Sequence, residues 1–373
     1  MAAESARKTL IIGVGTVGCR LAARIREHNA GHRYVFIDTD RYPLSAYAPA
    51  ETLLIGVEET DGRGTGKRPD IGSRAAEQAE AAIKKLIADA DVAIITASFG
   101  GGTGAGAAPV IAQFAREQRA TTVVAAVDPF AFESSVKVQQ AYEALRRAGQ
   151  LAEAVVRIPC MLPPSATAGE MSFKEAFVAA EDYAAVAASS LVQMITNPGT
   201  MRLDFGDLRR VLSEPAGAII GVGRAKGDNR VEAAIRQACH SSFLDVYRIH
   251  AAANVLLHVS GGDKLSLAEV DNAARSIGGI ATDGDYLLSI DIRPELGDEV
   301  IATVLLSGFT AEKTEPKPPA EQEAMTDGAF IYEGVNIEVP AFLRRPRNRY
   351  SRTNRLSTDY PLGKWNYKVK AQL

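Results

Sequence analysis

Two glycine-rich segments constrain this chain more than any other feature. Residues 13–18 (GVGTVG) follow an apolar run that begins at residue 9, and residues 99–106 (FGGGTGAG) follow an apolar run at 91–96. Each segment precedes a stretch with the apolar spacing of an amphipathic helix. A strand, a glycine turn and a helix in that order predict an α/β fold, in which helices cover a parallel sheet.

The same alternation continues along the chain. Predicted strands lie at residues 9–13, 34–37, 91–96 and 121–127, and predicted helices at 18–28, 75–90, 105–117 and 136–151. An Ala-rich helical stretch at 173–195, closed by the helix-breaking residues 197–199, predicts a connector between two domains. Four later strands, at 218–221, 253–260, 286–291 and 299–307, predict a second sheet.

Composition excludes several classes of protein. With 373 residues, 46% of them hydrophobic, the chain is long enough for two globular domains. Three widely spaced cysteines and five histidines argue against a disulfide framework or a zinc site and favour a reducing compartment. There is no secretory apolar segment near the N-terminus and no run of roughly 18 apolar residues. We therefore expect a soluble, cytoplasmic protein without a protein-made metal site.

The first glycine segment matches the dinucleotide-binding pattern GxGxxG. It stands between a predicted strand and a predicted helix, and Asp38 lies 20 positions after Gly18, at the end of the next strand. Glycine lets the backbone approach phosphate closely, and the helix N-terminus offers free N–H groups. An NAD-dependent oxidoreductase is one interpretation of this segment.

The second glycine segment favours a nucleoside triphosphate. Residues 100–106 hold five glycines in seven positions, which an NAD fold does not need. Glycines that adopt positive φ can direct successive N–H groups towards a polyphosphate, and Thr103 adds a hydroxyl donor. Two phosphate loops on adjacent strands suit a triphosphate better than a dinucleotide.

Residues 100–106 (GGGTGAG) also resemble the phosphate-binding signature of the tubulin/FtsZ family, and further segments resemble FtsZ in the same order along nearly the whole chain. These segments are DTD at 38–40, GTGKRPDIG at 64–72, PFAFE at 129–133, AED at 180–182, LDFGD at 203–207, GGD at 261–263, ELGDEV at 295–300 and IEVPAFLRR at 337–345. The resemblance implies a Rossmann-like GTPase domain at 1–172, a central helix at 173–199, a smaller α+β domain at 200–310, a flexible linker at 311–336, and a docking peptide with a disordered basic tail at 337–373.

The resemblance further implies a site for GTP or GDP with Mg²⁺, which would bridge the phosphates through its own waters. The implied nucleotide-binding residues are Gly13, Gly15, Thr16, Gly18, Arg20, Asp40, Gly64, Thr65, Gly66, Gly100, Gly101, Gly102, Thr103, Gly104, Ala105, Gly106, Pro129, Glu133, Lys137, Glu181 and Asp182. Asp204 and Asp207, at i and i+3 of one turn, match the catalytic loop that polarises water. In the family these carboxylates serve the adjacent subunit, which implies head-to-tail filaments and a GTPase completed between subunits, in cell division or a related membrane-remodelling task.

Several residues depart from the family pattern. Arg20 and Glu181 each stand where FtsZ has Asn, Cys160 and Met161 replace Asn-Asp, Lys137 replaces Arg, and Arg202 replaces the Asn that begins the catalytic loop. These changes put guanine selectivity and rapid hydrolysis in question, and Arg20 and Glu181 could simply pair with each other. The alternatives are a slow hydrolase, or a non-hydrolysing scaffold that co-assembles with another FtsZ.

The C-terminal segment differs from the rest in charge. Residues 341–373 hold nine Lys or Arg against one Asp, a net charge of +8, so the first 340 residues carry −11 of the total −3. The resemblance implies that the peptide from Ile337 to Arg345 binds a division-type tether or regulator, which would make membrane contact indirect. For the basic run we favour lateral contacts between polymers and expect no stable nucleic-acid binding.

Overall fold

The computed structural model describes residues 8–130, 132–160, 171–196, 200–201, 205–212, 217–239, 252–278, 286–309, 331–332 and 335–336. The chain divides into two units, residues 1–316 and 317–373. In the second unit a two-stranded antiparallel ladder pairs Ile331–Tyr332 with Val335–Asn336. The expected docking peptide at 337–345, the basic tail, the linker up to residue 330, Arg202 and Asp204 lie outside the described residues.

The first unit alternates strands and helices. Its strands are β1 (Thr9–Val14), β2 (Arg33–Asp38), β3 (Glu51–Leu54), β4 (Val92–Ser98), β5 (Thr121–Val127), β6 (Ala154–Ile158), β7 (Ala218–Ala225), β8 (Asn254–Gly261), β9 (Tyr286–Ile292) and β10 (Val300–Ser307). Its helices are α1 (Gly15–His28), α2 (Arg41–Ser45), α3 (Val57–Thr60), α4 (Pro69–Gln78), α5 (Glu80–Ile87), α6 (Gly102–Glu117), α7 (Ser135–Leu151), α8 (Phe173–Thr196), α9 (Phe205–Leu212), α10 (Arg230–Cys239) and α11 (Leu267–Gly278).

All ten strands belong to one sheet, in the order β3-β2-β1-β4-β5-β6-β7-β10-β8-β9. Strands β1 to β6 are parallel, whereas β10 runs antiparallel to both β7 and β8. The four strands expected to form a second sheet instead extend the first one, through a short parallel ladder that pairs Val156 with Ala218 and Arg157 with Ile219. Periodicity predicts the strands but carries no information on which edges pair.

The sheet lies between helical layers, because successive side chains of a strand point to opposite faces. In β1, Ile11 belongs to the core cluster formed with α1, α8 and α9, whereas Leu10 and Ile12 belong to the cluster formed with α4 to α7. A third cluster packs α10 and α11 against β7 to β10. Helix α8 lies between β6 and β7 in the chain and contacts α1, β6 and β7.

After the neighbouring parallel strands β1 and β4, the chain continues to opposite faces of the sheet. β1 pairs directly with β4, yet α1 packs in the first cluster and α6 in the second. The two connections therefore diverge at the carboxyl ends of β1 and β4, which is where ligands bind in open α/β sheets. The single helix expected at 75–90 is two helices, α4 and α5, separated at Ala79. Among the described helices, none combines the length and apolar character needed to cross a membrane.

Candidate functional site

The turn after β1 brings the start of α1 close to the sheet. Gly15 has φ +72°, a left-handed conformation that favours glycine, and it lets the chain reverse directly into the helix. A β-carbon on Gly18 would lie 2.2 Å from the carbonyl oxygen of Thr96, and one on Gly13 would lie 2.7 Å from Cys19 Cα. These glycines allow α1 to pack directly on the strand ends, so its first turn reaches the cavity.

The turn after β4 works differently from the sequence-based expectation. None of the glycines in 100–106 has positive φ, and α6 already begins at Gly102. A β-carbon on Gly104 would lie 2.4 Å from the carbonyl oxygen of Ser98, and one on Gly106 would lie 2.0 Å from that of Pro69. The expected left-handed anion nest is therefore wrong for this loop, where the glycines allow close packing around the first turns of a helix.

A cavity of about 440 Å³ opens between these two turns. It is lined by Val14, Gly15, Thr16, Val17, Ser98, Gly100, Gly101, Gly102, Thr103, Gly104, Val127, Asp128, Phe130, Phe132, Glu133, Lys137, Cys160, Phe173, Phe177 and Glu181. At one end lie the first turns of α1 and α6, and at the other lie phenylalanine side chains and the beginning of α8.

The glycine end of the cavity has the properties of an anion site. The first turns of two helices converge there, and helix N-termini carry N–H groups without intrahelical partners and a partial positive charge. An added β-carbon at Gly15 would lie 3.1 Å from the Gly104 nitrogen, whereas one at Gly101 would have no neighbour closer than 4.0 Å. The space for an anion between the first turns of α1 and α6, here called the cradle, is thus narrow between Gly15 and Gly104 and open at Gly101.

Asp38 lies next to the glycine end of the cavity but does not line it. The carboxylate is 2% exposed and accepts hydrogen bonds from Thr16 Oγ1 at 3.0 Å and from the N–H of Thr39 at 2.7 Å. Burial raises the pKa of Asp38, against the lowering effect of these hydrogen bonds. The dinucleotide interpretation requires this carboxylate to bind a ribose, whereas in the structure it accepts hydrogen bonds from Thr16 of α1 and from Thr39.

The loop at residues 64–66 supports the cradle from outside the cavity. Gly64 and Gly66 have φ values of +83° and +60°, so left-handed glycines occur here and not in residues 100–106. Thr65 is buried, and a β-carbon on Gly102 would lie 2.2 Å from its Oγ1. The Thr39 and Thr103 hydroxyls are 2.7 Å apart, which joins the loop after β2 to the start of α6.

Phenylalanine rings form the opposite end of the cavity. The Phe130 ring stacks on Phe132 with centroids 5.0 Å apart and lies 5.6 Å from Phe177, and Phe173 lies 6.2 Å from Phe132. Phe173 and Phe177 stand one turn apart on α8, and the Phe132 and Phe173 side chains are mostly exposed. This wall offers flat apolar surfaces at the mouth of the site, which suits a planar ring system.

Among the described residues, each acidic side chain that lines the cavity is paired with a cation. Glu181 Oε1 lies 2.8 Å from Arg20 Nη2, Glu133 pairs with Lys137, and Asp128 Oδ2 lies 2.9 Å from Arg157 Nη2. Burial raises the pKa of Asp128 although Arg157 acts to lower it. The acidic and basic charges of these pairs offset each other, so the helix N-termini supply the positive potential of the glycine end.

Asp182 lies outside the cavity in the structure. Its carboxylate pairs with Arg24 of α1, and neither residue lines the cavity beside Glu181. Arg20 Cζ lies 6.0 Å from the centre of the Phe177 ring, so the Arg20–Glu181 pair borders the phenylalanine wall. Next to this pair, Arg20, Arg24 and Cys160 line a smaller pocket of about 40 Å³.

The structure brings together about half of the nucleotide-binding residues predicted from the sequence. Gly15, Thr16, Gly100, Gly101, Gly102, Thr103, Gly104, Glu133, Lys137 and Glu181 line the cavity. Gly13, Gly18, Arg20, Asp40, Gly64, Thr65, Gly66, Ala105, Gly106, Pro129 and Asp182 do not line it. Asp40, for example, caps α2 by accepting a hydrogen bond from the Tyr42 N–H at 3.0 Å.

Sequence reasoning missed several cavity residues. The sequence predicts Phe173 and Phe177 only as residues of a helix, although their i, i+4 spacing places both on one face of α8. Asp128 follows β5 directly and could have been found as a polar residue at the carboxyl end of a parallel strand. The sequence singles out Cys160 only as a departure from the family pattern, although it lines the cavity. Burial raises the pKa of its thiol to about 12.

Of the two predicted catalytic carboxylates, one is described. Asp207 lies in the first turn of α9, is half-buried and does not line the cavity. Helix α9 contacts β6, β8 and β10, which places it on the sheet. Within the described ranges, no group of three His, Cys, Asp or Glu side chains is arranged to hold a metal ion.

Comparison with known proteins agrees with this geometry. A model of the tubulin/FtsZ family GTPase domain matches residues 8–160, and a model of the FtsZ family C-terminal domain matches residues 216–310. An FtsZ of M. jannaschii, solved as an empty dimer, is 31% identical and has a TM-score of 0.74, covering 81% of this chain and 88% of its own.

More distant structures share the fold. CetZ2 of Haloferax volcanii, solved as a GTPγS-bound protofilament, is 21% identical with a TM-score of 0.64, over 82% of this chain and 94% of its own. A CetZ of Methanosaeta thermophila is 19% identical with a TM-score of 0.66, over 82% of this chain and 88% of its own.

Proposed function

The chain belongs to the tubulin/FtsZ family, and from this premise we propose that it binds GTP or GDP in the cavity between α1 and α6 and polymerises head to tail. Membership in the family confirms the resemblance drawn from residues 100–106. The observation that carries the proposal is the convergence of two helix N-termini on a cradle that a β-carbon at Gly15 would fill.

The chain's own groups account for nucleotide binding. N–H groups in the first turns of α1 and α6 bind the phosphates, and the hydrogen bond that the Thr16 hydroxyl donates to Asp38 holds the first turn of α1 in position. The phenylalanine wall stacks on the base. The three described carboxylates that line the cavity are paired, so a Mg²⁺ ion would be held by phosphate oxygens and water, where it would neutralise charge on the phosphates.

Hydrolysis requires a group that positions water, and the carboxylates that the structure describes in this cavity are engaged in ion pairs. We propose that Asp204 and Asp207 reach the nucleotide of an adjacent subunit, since α9 lies away from the cavity of its own chain. A contact of this kind repeats without closing and produces filaments. The GTPγS-bound protofilament of CetZ2, which shares this fold, supports such an assembly.

Phosphate release and light scattering, measured with GTP over a series of protein concentrations, test the shared site. Release per subunit should rise with concentration as filaments form. Asp207→Ala should keep nucleotide and filaments but lose release by about tenfold or more. Asp271→Ala, which removes an exposed acid from α11, is the matched control and should behave as the wild type. Release per subunit that is independent of concentration would disprove the mechanism.

A non-hydrolysing scaffold that co-assembles with another FtsZ is the second candidate. It is favoured by the pairing of Lys137 with Glu133, which engages a cation that lines the cavity before any phosphate enters. Clear GTP turnover by the isolated protein would exclude this candidate. We further propose a cytoplasmic location and a role in division or a related remodelling task, with a tether or regulator bound at residues 337–345.

A further inference from the structure

We infer that the cavity discriminates weakly between purines and takes ATP as well as GTP. This inference rests on the proposed function, because it concerns the base of the nucleotide whose phosphates bind at the glycine end. Its basis is the state of the polar side chains next to the phenylalanine wall. At that end the structure presents an ion pair where a guanine-selective site would present an uncompensated acceptor.

Guanine selectivity needs an acceptor without a competing donor. The guanine edge offers two N–H donors, at N1 and N2, and one acceptor, O6, whereas the adenine edge offers an N6 donor and an N1 acceptor. A lone carboxylate accepts from guanine and leaves adenine N1 without a donor. Asp182, which the resemblance implies as a nucleotide-binding residue, is paired with Arg24 and lines neither the cavity nor the smaller pocket beside it.

The polar side chains beside the phenylalanine wall include both a hydrogen-bond acceptor and a donor. Glu181 lines the cavity, and Arg20, 2.8 Å from it, lines the smaller adjoining pocket to which Glu181 also belongs, so acceptor oxygens and donor N–H groups lie side by side at this border. Glu181 can accept from the N–H groups of either purine, and Arg20 can donate to guanine O6 or to adenine N1. The pair therefore satisfies both edges.

Solvent exposure weakens any remaining preference. Strong discrimination arises when the wrong ligand leaves a buried polar group unpaired. Here the Arg20 side chain is 44% exposed and Glu181 is 23% exposed, and each is already paired with the other, so neither purine leaves a desolvated group without a partner. Stacking on Phe177 contributes for both bases, because every base has a π-face.

Calorimetric titration with the β,γ-imido analogues of GTP and ATP, each with Mg²⁺, tests the inference on the full-length protein. These analogues avoid turnover, and the protein is kept below the concentration at which it scatters light. We expect dissociation constants within about tenfold of each other. A ratio above tenfold in either direction overturns the inference and leaves the proposed function intact. No binding of either analogue overturns both.

A variant gives the test a direction. Arg20→Ala leaves Glu181 as an acceptor alone, so the ratio of GTP to ATP affinity should rise by about fivefold or more. Arg275→Ala breaks an exposed pair with Asp271 on α11 and should leave the ratio unchanged. Phe177→Leu should weaken both analogues by a similar factor, about tenfold. An unchanged ratio in Arg20→Ala, or loss of only one nucleotide in Phe177→Leu, would contradict this reading of the base end.

Discussion

The backbone conformation of Gly15 allows the start of α1 to lie close to the start of α6 beside the cavity. Gly15 has φ +72°, and its missing side chain leaves the gap towards the Gly104 nitrogen open. Glycine is needed here for two separate reasons, its backbone conformation and its lack of a β-carbon. Gly101 also lines the cavity, but its φ of −108° suits any residue.

Alanine substitution separates these two glycines. Gly15→Ala should lower the free energy of unfolding by about 1–3 kcal/mol, because it forces a left-handed alanine against α6. It should also abolish nucleotide binding. Gly101→Ala should stay within about 0.5 kcal/mol of the wild type. Urea denaturation and GTP titration measure both effects, and equal destabilisation by the two variants would show that the Gly15 conformation does not matter.

His258 makes stability depend on pH. Its ring is buried between Ser289 Oγ and Ser260 Oγ, each at 3.1 Å, and burial lowers its pKa from 6.5 to about 4, helped by Arg293. Between these values the unfolded chain binds a proton that the folded chain does not. The stabilisation of the folded state by neutral His258 is therefore complete above pH 6.5. It is lost as the pH falls towards 4, and the loss is on the order of 3 kcal/mol.

Denaturation curves measured from pH 7.5 to 4.5 test this dependence. His258→Gln keeps a hydrogen-bonding side chain but cannot titrate, so its stability should fall less steeply over that range. Parallel curves for the wild type and His258→Gln would mean that other groups cause the acid sensitivity.

At the scale of elements, a buried arginine joins the parts of the C-terminal half. Arg230, at the start of α10, is 5% exposed and pairs at 2.8 Å with both Glu269 of α11 and Asp298 before β10. It also donates to the Lys264 carbonyl at 3.1 Å. Arg230 lowers the pKa of Glu269 to about 2, so this acid stays ionised in its pair well into the acidic range.

Two arginines of α10 allow a matched comparison. Arg230→Ala leaves Glu269 without its cation and should cost about 3 kcal/mol or more. Arg236→Ala removes an exposed i, i+4 pair with Glu232 and should cost about 0.5 kcal/mol or less. Chemical denaturation measures both changes. Similar losses in the two variants would show that the Arg230 network does not hold α10 and α11 together.

At the scale of the whole molecule, the folded body ends before the charged tail. The last strand of the sheet, β10, ends at Ser307, Phe309 packs in the core, and the first unit extends to residue 316. The following residues carry the basic run at 341–373. The body should therefore fold and bind nucleotide without residues 317–373.

Truncation after residue 316 tests this division. Its thermal midpoint should lie within about 2 °C of that of the full chain, and its affinity for GTP should be unchanged. If the basic run makes lateral contacts with acidic neighbours, filament bundling should fall in the truncated protein and in high salt. A large drop in the thermal midpoint would place part of the folding core in residues 317–373.

The sequence alone determined most of the longer strands and helices, the position of the two glycine turns and the family, because periodicity and turn chemistry are local properties, whereas the short elements β3, β6, α2 and α3 were not predicted. Only the tertiary structure decided the partner of each polar side chain. Arg24 and Asp182 are 158 positions apart, and their contact pairs a carboxylate that the sequence predicts to bind the nucleotide. The glycines of residues 100–106 likewise required the fold, since they are needed for the approach of other segments and not for their own torsion angles.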